Sequence, residues 1–179
     1  MFAAVALVIA APILTAAIIA IYLEDGRPIF FRQRRAGQFE RLFAMWKLRT
    51  MRLADCEDRP SPSSPDDPRI TRVGRVLRRF SIDELPQFYN VLCGDMAIVG
   101  PRPEMPFVVE RYECWQHLRH LVRPGLTCFW QLELRSTVAL HRPEATALDI
   151  KYIQSAGFRL DGLLIARTFV ALVQPKGVF

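Results

Sequence analysis

At 179 residues the chain suits one domain with one core, with room for an appendage. Hydrophobic residues make up 51% and charged ones 23%, a balance that excludes both a disordered chain and a multi-span membrane protein. The net charge of +6, carried mostly by arginine, leaves three kinds of partner: nucleic acid, an anionic membrane surface or a phosphorylated small molecule.

Met1 to Leu23 carries no charged side chain. A helix of that length reaches about 34 Å, enough to cross a hydrocarbon core of about 30 Å. A cleaved signal peptide is disfavoured, because no basic segment opens the run and the run is too long for a signal's apolar core. Two membrane readings stay open: a spanning helix, or a helix broken near Pro12 that enters and leaves by one face. A mid-run proline removes a backbone hydrogen bond and bends the helix, which would leave two arms of about 16 Å. Arg27, Arg32, Arg34, Arg35 and Arg41 follow closely, so either reading puts the remaining chain on the cytoplasmic side.

From Gly26 to Met51 short apolar runs alternate with basic residues, and Gly37-Gln38 between them is a turn signal. The pattern predicts two short strands, with their charges forming a basic rim suited to anionic headgroups and no single residue set apart. Asp55 to Pro68, rich in proline and serine, is expected as a surface loop. A basic helix is expected over Arg75 to Phe80. Leu85, Phe88, Val91 and Leu92 recur at helical spacing and are expected to pack the core. Phe107 to Leu121 reads as an amphipathic helix, Glu144 to Ser155 as another, and Phe158 to Val173 as a last apolar helix suited to the core or a membrane interface. Cys56, Cys93, Cys114 and Cys128 form no C-x-x-C pair and read as reduced cytosolic thiols. His117, His120 and His141 do not match a zinc site with them.

The densest stretch is Arg78 to Pro103, RRFSIDELPQFYNVLCGDMAIVGPRP. It combines two arginines, the adjacent carboxylates Asp83 and Glu84, Gly94-Asp95, and Gly100-Pro101-Arg102-Pro103. A site for a phosphorylated substrate needs such a mixture, because it must neutralise phosphate, hold a metal and present a nucleophile or base. Ser81-x-x-Glu84 also has the form of a capping box, with Asp83 in the first helical turn and Pro86 near the start. The two readings are compatible, since a helix N-terminus also offers N–H groups to phosphate. The sequence holds no glycine-rich nucleotide loop, nucleophile elbow or Ser/His/Asp set.

This stretch resembles the signature of the bacterial sugar transferases, the monotopic polyprenyl-phosphate phosphoglycosyl transferases that begin surface-glycan assembly. Their pattern is roughly R-x-x-S-L-D-E-L-P-Q-x-x-N-V-L-x-G-D-M-x-x-x-G-P-R-P. The resemblance runs from about Pro28 onward, through Phe31, Gln33, Arg35, Gly37, Phe43, Lys47, Arg49, Thr50 and Met51, then the segment Arg123 to Gln131 and Leu148-Asp149-x-x-Tyr152. It departs at Ala11-Pro12, where the family has Ser-Pro, and at Cys128 and Leu134, where it has glycine. The basic-aromatic segment that usually precedes the first helix is also missing, as expected of a shortened or misassigned start.

The resemblance implies a single compact, α-rich α+β cytoplasmic domain over residues 26–179. An N-terminal membrane helix over 1–25, broken near Pro12 and re-entrant, would hold it at the bacterial inner membrane. It implies that Asp83 attacks the β-phosphate of a UDP-sugar, releasing nucleoside monophosphate and forming a phosphosugar–aspartate that undecaprenyl phosphate resolves. Glu84 would help hold Mg²⁺, Arg78 and Arg102 would contact phosphate, and Asp95 would orient the site. The implied partners are the UDP-sugar, undecaprenyl phosphate and the inner leaflet, with a homodimer allowed. Nucleic acid is not among them, because the arginines are scattered and no binding module is recognisable. The replaced glycines leave one rival reading, a catalytically weak membrane-bound partner in a glycan-assembly complex.

Overall fold

The computed structural model describes residues 2–52, 67–133, 140 and 142–173. Of the expected proline-rich loop only Asp67 and Pro68 are described, and Cys56, Leu134 and His141 lie outside the described residues.

Alanine, leucine and isoleucine fill α1 (Phe2–Asp25), a composition favourable to helix. Pro12 lies inside α1, which runs as one helix through it. The proline withdraws a single N–H, and the turn after it is intact, with the Thr15 hydroxyl donating to the Ala11 carbonyl at 2.9 Å. Ala3, Ala10, Ala17 and Ile21 are its buried positions, while Val8, Ile9, Ile13, Ile19 and Leu23 are exposed. Length and composition make α1 a helix able to cross a membrane, and its exposed apolar side chains set it apart from a buried core helix.

The C-terminal end of α1 is tied down twice. Glu24 accepts the N–H groups of Arg72 and Val73, both at 2.8 Å, and Arg49 donates to the carbonyls of Asp25 (2.7 Å) and Gly26 (3.0 Å). Ala17 and Ile21 then pack with Leu48 and Leu77.

The two expected strands form an antiparallel hairpin, β1 (Phe30–Ala36) and β2 (Leu42–Leu48), in register from Phe30 opposite Leu48 to Ala36 opposite Leu42. Strand alternation divides its side chains: Phe31, Gln33, Arg35, Met45 and Lys47 share one face, and Phe30, Arg32 and Trp46 the other. The turn between the strands is pinned by a short run of 3-10 helix, residues 114–121. There His117 pairs with Glu40, and His120 donates from Nδ1 to the Gly37 carbonyl at 3.2 Å.

Helix α2 (Arg72–Arg79) begins before the expected Arg75, because Thr71 caps it by accepting the Gly74 N–H at 2.9 Å. The expected capping box at Ser81 is absent. Ser81 is left-handed (φ 53) and its side chain caps nothing; residues 82–84 form a 3-10 turn, and Pro86 is the N-cap of α3 (Gln87–Cys93). A capping box forms instead between Glu113 and Gln116. Glu113 is extended there, which splits the expected Phe107–Leu121 helix into α4 (Pro106–Val109) and the 3-10 run.

The burial of α3 is also the reverse of expectation. Gln87 and Asn90 are its buried positions; Leu85, Phe88 and Val91 are half-buried and Leu92 is exposed. Asn90 is buried because it acts as a strand neighbour to β2. Its side chain accepts the Trp46 N–H at 3.0 Å and donates to the Ala44 carbonyl at 2.8 Å.

Strand β3 (Ala97–Val99) pairs in parallel with β4 (Gly125–Thr127). Gly100 and Gly125 meet across them so closely that a Cβ on Gly125 would lie 2.1 Å from the Gly100 nitrogen. Helices α5 (Phe129–Glu133), α6 (Pro143–Ser155) and α7 (Phe158–Val173) complete the described residues, the last two as expected. Val99, Tyr152 and Leu164 form their shared core, while Phe158, Leu163, Phe169 and Val170 of α7 remain exposed. The described residues thus form a mixed structure in which helices dominate two small sheets.

Candidate active site

Arg78 lies in the last turn of α2, where its Nε donates to the Thr50 hydroxyl at 2.8 Å. The left-handed Ser81 then turns the chain back against β2, and the 3-10 turn that follows carries Asp83 and Glu84, both buried. Lys47, on the inward face of β2, donates from Nζ to Glu84 Oε1 at 2.9 Å. Arg102 comes in from the loop after β3 and binds the same carboxylate with both terminal nitrogens; Nη1 lies 3.4 Å from Oε2, and Nη2 bonds Oε1. Gln131 of α5 steadies that guanidinium, its Oε1 accepting from Nη1 at 3.1 Å.

Asp83 differs from its neighbour. Among the described residues it has no hydrogen-bond or ion-pair partner, although it is buried. Burial raises its pKa above the ordinary carboxylate value; the charges of Lys47, Arg78 and Arg102 pull the other way, and Glu84 adds to the rise. Burial lowers the pKa of Lys47 against the attraction of Glu84, and lowers that of Arg78 against Asp83 and Glu84. Burial also acts against the Arg102 cation, but Glu84 outweighs it and the Arg102 pKa is raised. Three cations thus face two carboxylates, an arrangement with one positive charge to spare for an incoming phosphate.

The structure therefore brings together four of the five sequence-predicted residues: Arg78, Asp83, Glu84 and Arg102. The fifth, Asp95, belongs to the turn that ends α3. It accepts from Asn90 Nδ2 at 3.2 Å, and its own N–H donates to the Asn90 carbonyl at 3.0 Å. Among the described residues none of its hydrogen bonds or ion pairs reaches the carboxylate pair. Lys47 and Gln131 were missed as individuals. The alternation of β2, which turns Lys47 to the face opposite Trp46, was the available signal for the first; Gln131 had none beyond its motif. Cys128, which stands at a family glycine, needs no left-handed backbone. Its thiol packs beside Trp130 and Ala145, with Sγ accepting the Gln131 N–H at 3.4 Å.

Among the described residues no three Asp, Glu, His or Cys side chains converge to hold a metal alone. A pair of adjacent carboxylates, one of them without a partner, nevertheless fits Mg²⁺, which commonly takes one or two carboxylates and completes its shell with substrate phosphate and water.

A sequence profile of the bacterial sugar transferases matches residues 1–175. The chain is 41% identical over 176 residues to the UDP-glucose:undecaprenyl-phosphate glucose-1-phosphate transferase of Caulobacter vibrioides, covering 94% of this chain and 66% of that protein. It is 36% identical over 158 residues to the uncharacterized sugar transferase EpsL of Bacillus subtilis, covering 88% of this chain and 76% of that one. With the galactosyl transferase CpsE of Streptococcus agalactiae it shares 36% identity over 182 residues, which is 92% of this chain but only 40% of the relative. A match that runs from the first helix to the last leaves one conclusion: the chain belongs to the bacterial sugar transferase family.

Proposed function

We propose that this protein transfers a sugar-1-phosphate from a UDP-sugar to undecaprenyl phosphate at the cytoplasmic face of the bacterial inner membrane, a first step in polysaccharide synthesis. The donor and acceptor classes are those in the name of the Caulobacter relative. One observation carries the chemistry: Glu84 is held by two cations, whereas Asp83 is buried beside them with no hydrogen-bond or ion-pair partner among the described residues. A desolvated carboxylate that no hydrogen bond restrains is a good nucleophile once a cationic surround keeps it ionised.

An Asp83 oxygen would attack the β-phosphorus of the donor. The bond from that phosphorus to the bridging oxygen breaks, UMP leaves with the bridging oxygen, and the sugar phosphate remains on Asp83. A phosphate oxygen of undecaprenyl phosphate then attacks the same phosphorus and returns Asp83 as a carboxylate. Arg78 and Arg102 would take the phosphate oxygens, which their planar forks suit, and Lys47 would hold Glu84 in place. Mg²⁺, held by Glu84 beside Asp83, would offset the diphosphate charge. Helix α1, with its large apolar side chains exposed, would be the anchor that keeps the site at the lipid surface.

The test is UMP release by the detergent-solubilised protein given a panel of UDP-sugars, Mg²⁺ and undecaprenyl phosphate. Release with one donor is expected, and Asp83→Asn should lower it by at least about 1,000-fold. Release that survives in Asp83→Asn would refute the aspartate as nucleophile.

A further inference from the structure

The strap Pro101–Glu104 follows β3 and delivers Arg102 to Glu84. Two of its four residues are prolines, which have no N–H, so the strap is held through its carbonyls. All four are taken. The Pro101 carbonyl accepts the Gly125 N–H and the Glu104 carbonyl accepts the Ala36 N–H, each at 2.9 Å. Between them, the Arg102 carbonyl accepts from Arg119 Nη2 at 2.9 Å and the Pro103 carbonyl from Arg35 Nη1 at 3.2 Å.

Neither of these arginines faces solvent; Arg119 is 1% exposed and Arg35 7%. Each stands against a buried carboxylate, Arg119 with Asp149 of α6 at 2.7 Å and Arg35 with Glu104 at 3.6 Å. The Arg119–Asp149 contact is close but off the hydrogen-bond line, so it pairs charges, while Arg119 Nη1 donates to the Tyr112 hydroxyl at 2.5 Å. Buried ion pairs are costly to desolvate, and apolar pairs of the same volume often stabilise a fold as well. Two such pairs that end on consecutive carbonyls serve placement of the strap, and the first of those carbonyls is Arg102's own, one bond from the Cα that carries its side chain.

We propose that Arg119 and Arg35, backed by Asp149 and Glu104, are positioning residues that fix the Arg102 guanidinium for the phosphate of the substrate. The proposal rests on the phosphate-contacting role given above to Arg102. Misplacing such a group by about 1 Å costs roughly 100-fold in rate, so Asp149→Asn and Arg119→Lys are each expected to lower kcat/KM for UMP release about 10- to 100-fold.

The deciding measurement is a double-mutant cycle with Arg102→Ala. If Asp149 acts through Arg102, Asp149→Asn should have little further effect in the Arg102→Ala background. Fully additive losses would overturn the proposal. A second readout needs no activity: phenylglyoxal modification followed by mass spectrometry. Asp149→Asn and Arg119→Lys should speed labelling of Arg102 while leaving Arg78 unchanged. Equal acceleration at both arginines would mean general loosening and would also overturn the proposal. Arg119→Lys keeps a cation opposite Asp149, so it serves if Asp149→Asn does not fold. A wild-type protein that releases no UMP would count against the activity, and the labelling would still decide the clamp.

Discussion

Asp83 sits where a carboxylate is least comfortable, buried and, among the described residues, without a hydrogen-bond partner, and its pKa is raised. A group whose pKa is higher folded than unfolded holds its proton more tightly in the native state. Stability therefore declines as pH rises from the unfolded value, about 3.9 for aspartate, through the folded one. At neutral pH the buried Asp83 carboxyl therefore weakens the fold in which it sits. Asp83→Asn should accordingly raise Tm at neutral pH while abolishing turnover, and the gap should close as melts are repeated down to about pH 4. A lower Tm for the variant at neutral pH would contradict this. The signature residues were legible because they lie within one contiguous stretch, where spacing alone proposes a constellation. Lys47, Arg119 and Asp149 come from elements distant in sequence; strand alternation gives Lys47 its face, but no local pattern names the carboxylate that a lysine or a buried arginine meets.

Among the elements, the hairpin, α6 and α7 followed from periodicity and turn signals, which are local properties. What misled was competition between local signals. Ser81-x-x-Glu84 satisfies the capping-box pattern, but the chain needs a reversal there, and a left-handed serine makes the reversal in place of a cap. On α3 the apolar periodicity suggested a core face, whereas the open edge of β2 claimed Asn90 for the interior. Asn90 stands in for a missing strand, satisfying the Trp46 N–H and the Ala44 carbonyl. Asn90→Ala would leave both without that partner, and unfolding by denaturant should show a loss of about 2–4 kcal/mol. A loss below ~1 kcal/mol would mean that water replaces the amide at the strand edge.

At the scale of the whole molecule, α1 presents more exposed large apolar side chains than any other element among the described residues. Its outward residues Val8, Ile9, Ile13 and Ile19 suit a hydrocarbon surround and little else. Lysine at the middle of such a run costs about 3 kcal/mol of insertion. Ile9→Lys should therefore shift the protein out of the carbonate-resistant membrane fraction, whereas Ile9→Leu should not. Equal retention of both variants in that fraction would deny α1 the anchoring role. The sequence supplied the length of this helix but not its attachment, because Glu24 and Arg49 gain their meaning only where the chain returns to them. That attachment, with Glu24 on the first N–H groups of α2 and Arg49 on the carbonyls of Asp25 and Gly26 where α1 ends, is a bracket and not a leash. A catalytic domain on a leash would wander over a range of heights and meet its acceptor by chance. One bolted to its post would work at a fixed altitude, and under the proposed function the acceptor phosphate, held at the lipid surface, would be met at that altitude on every turnover.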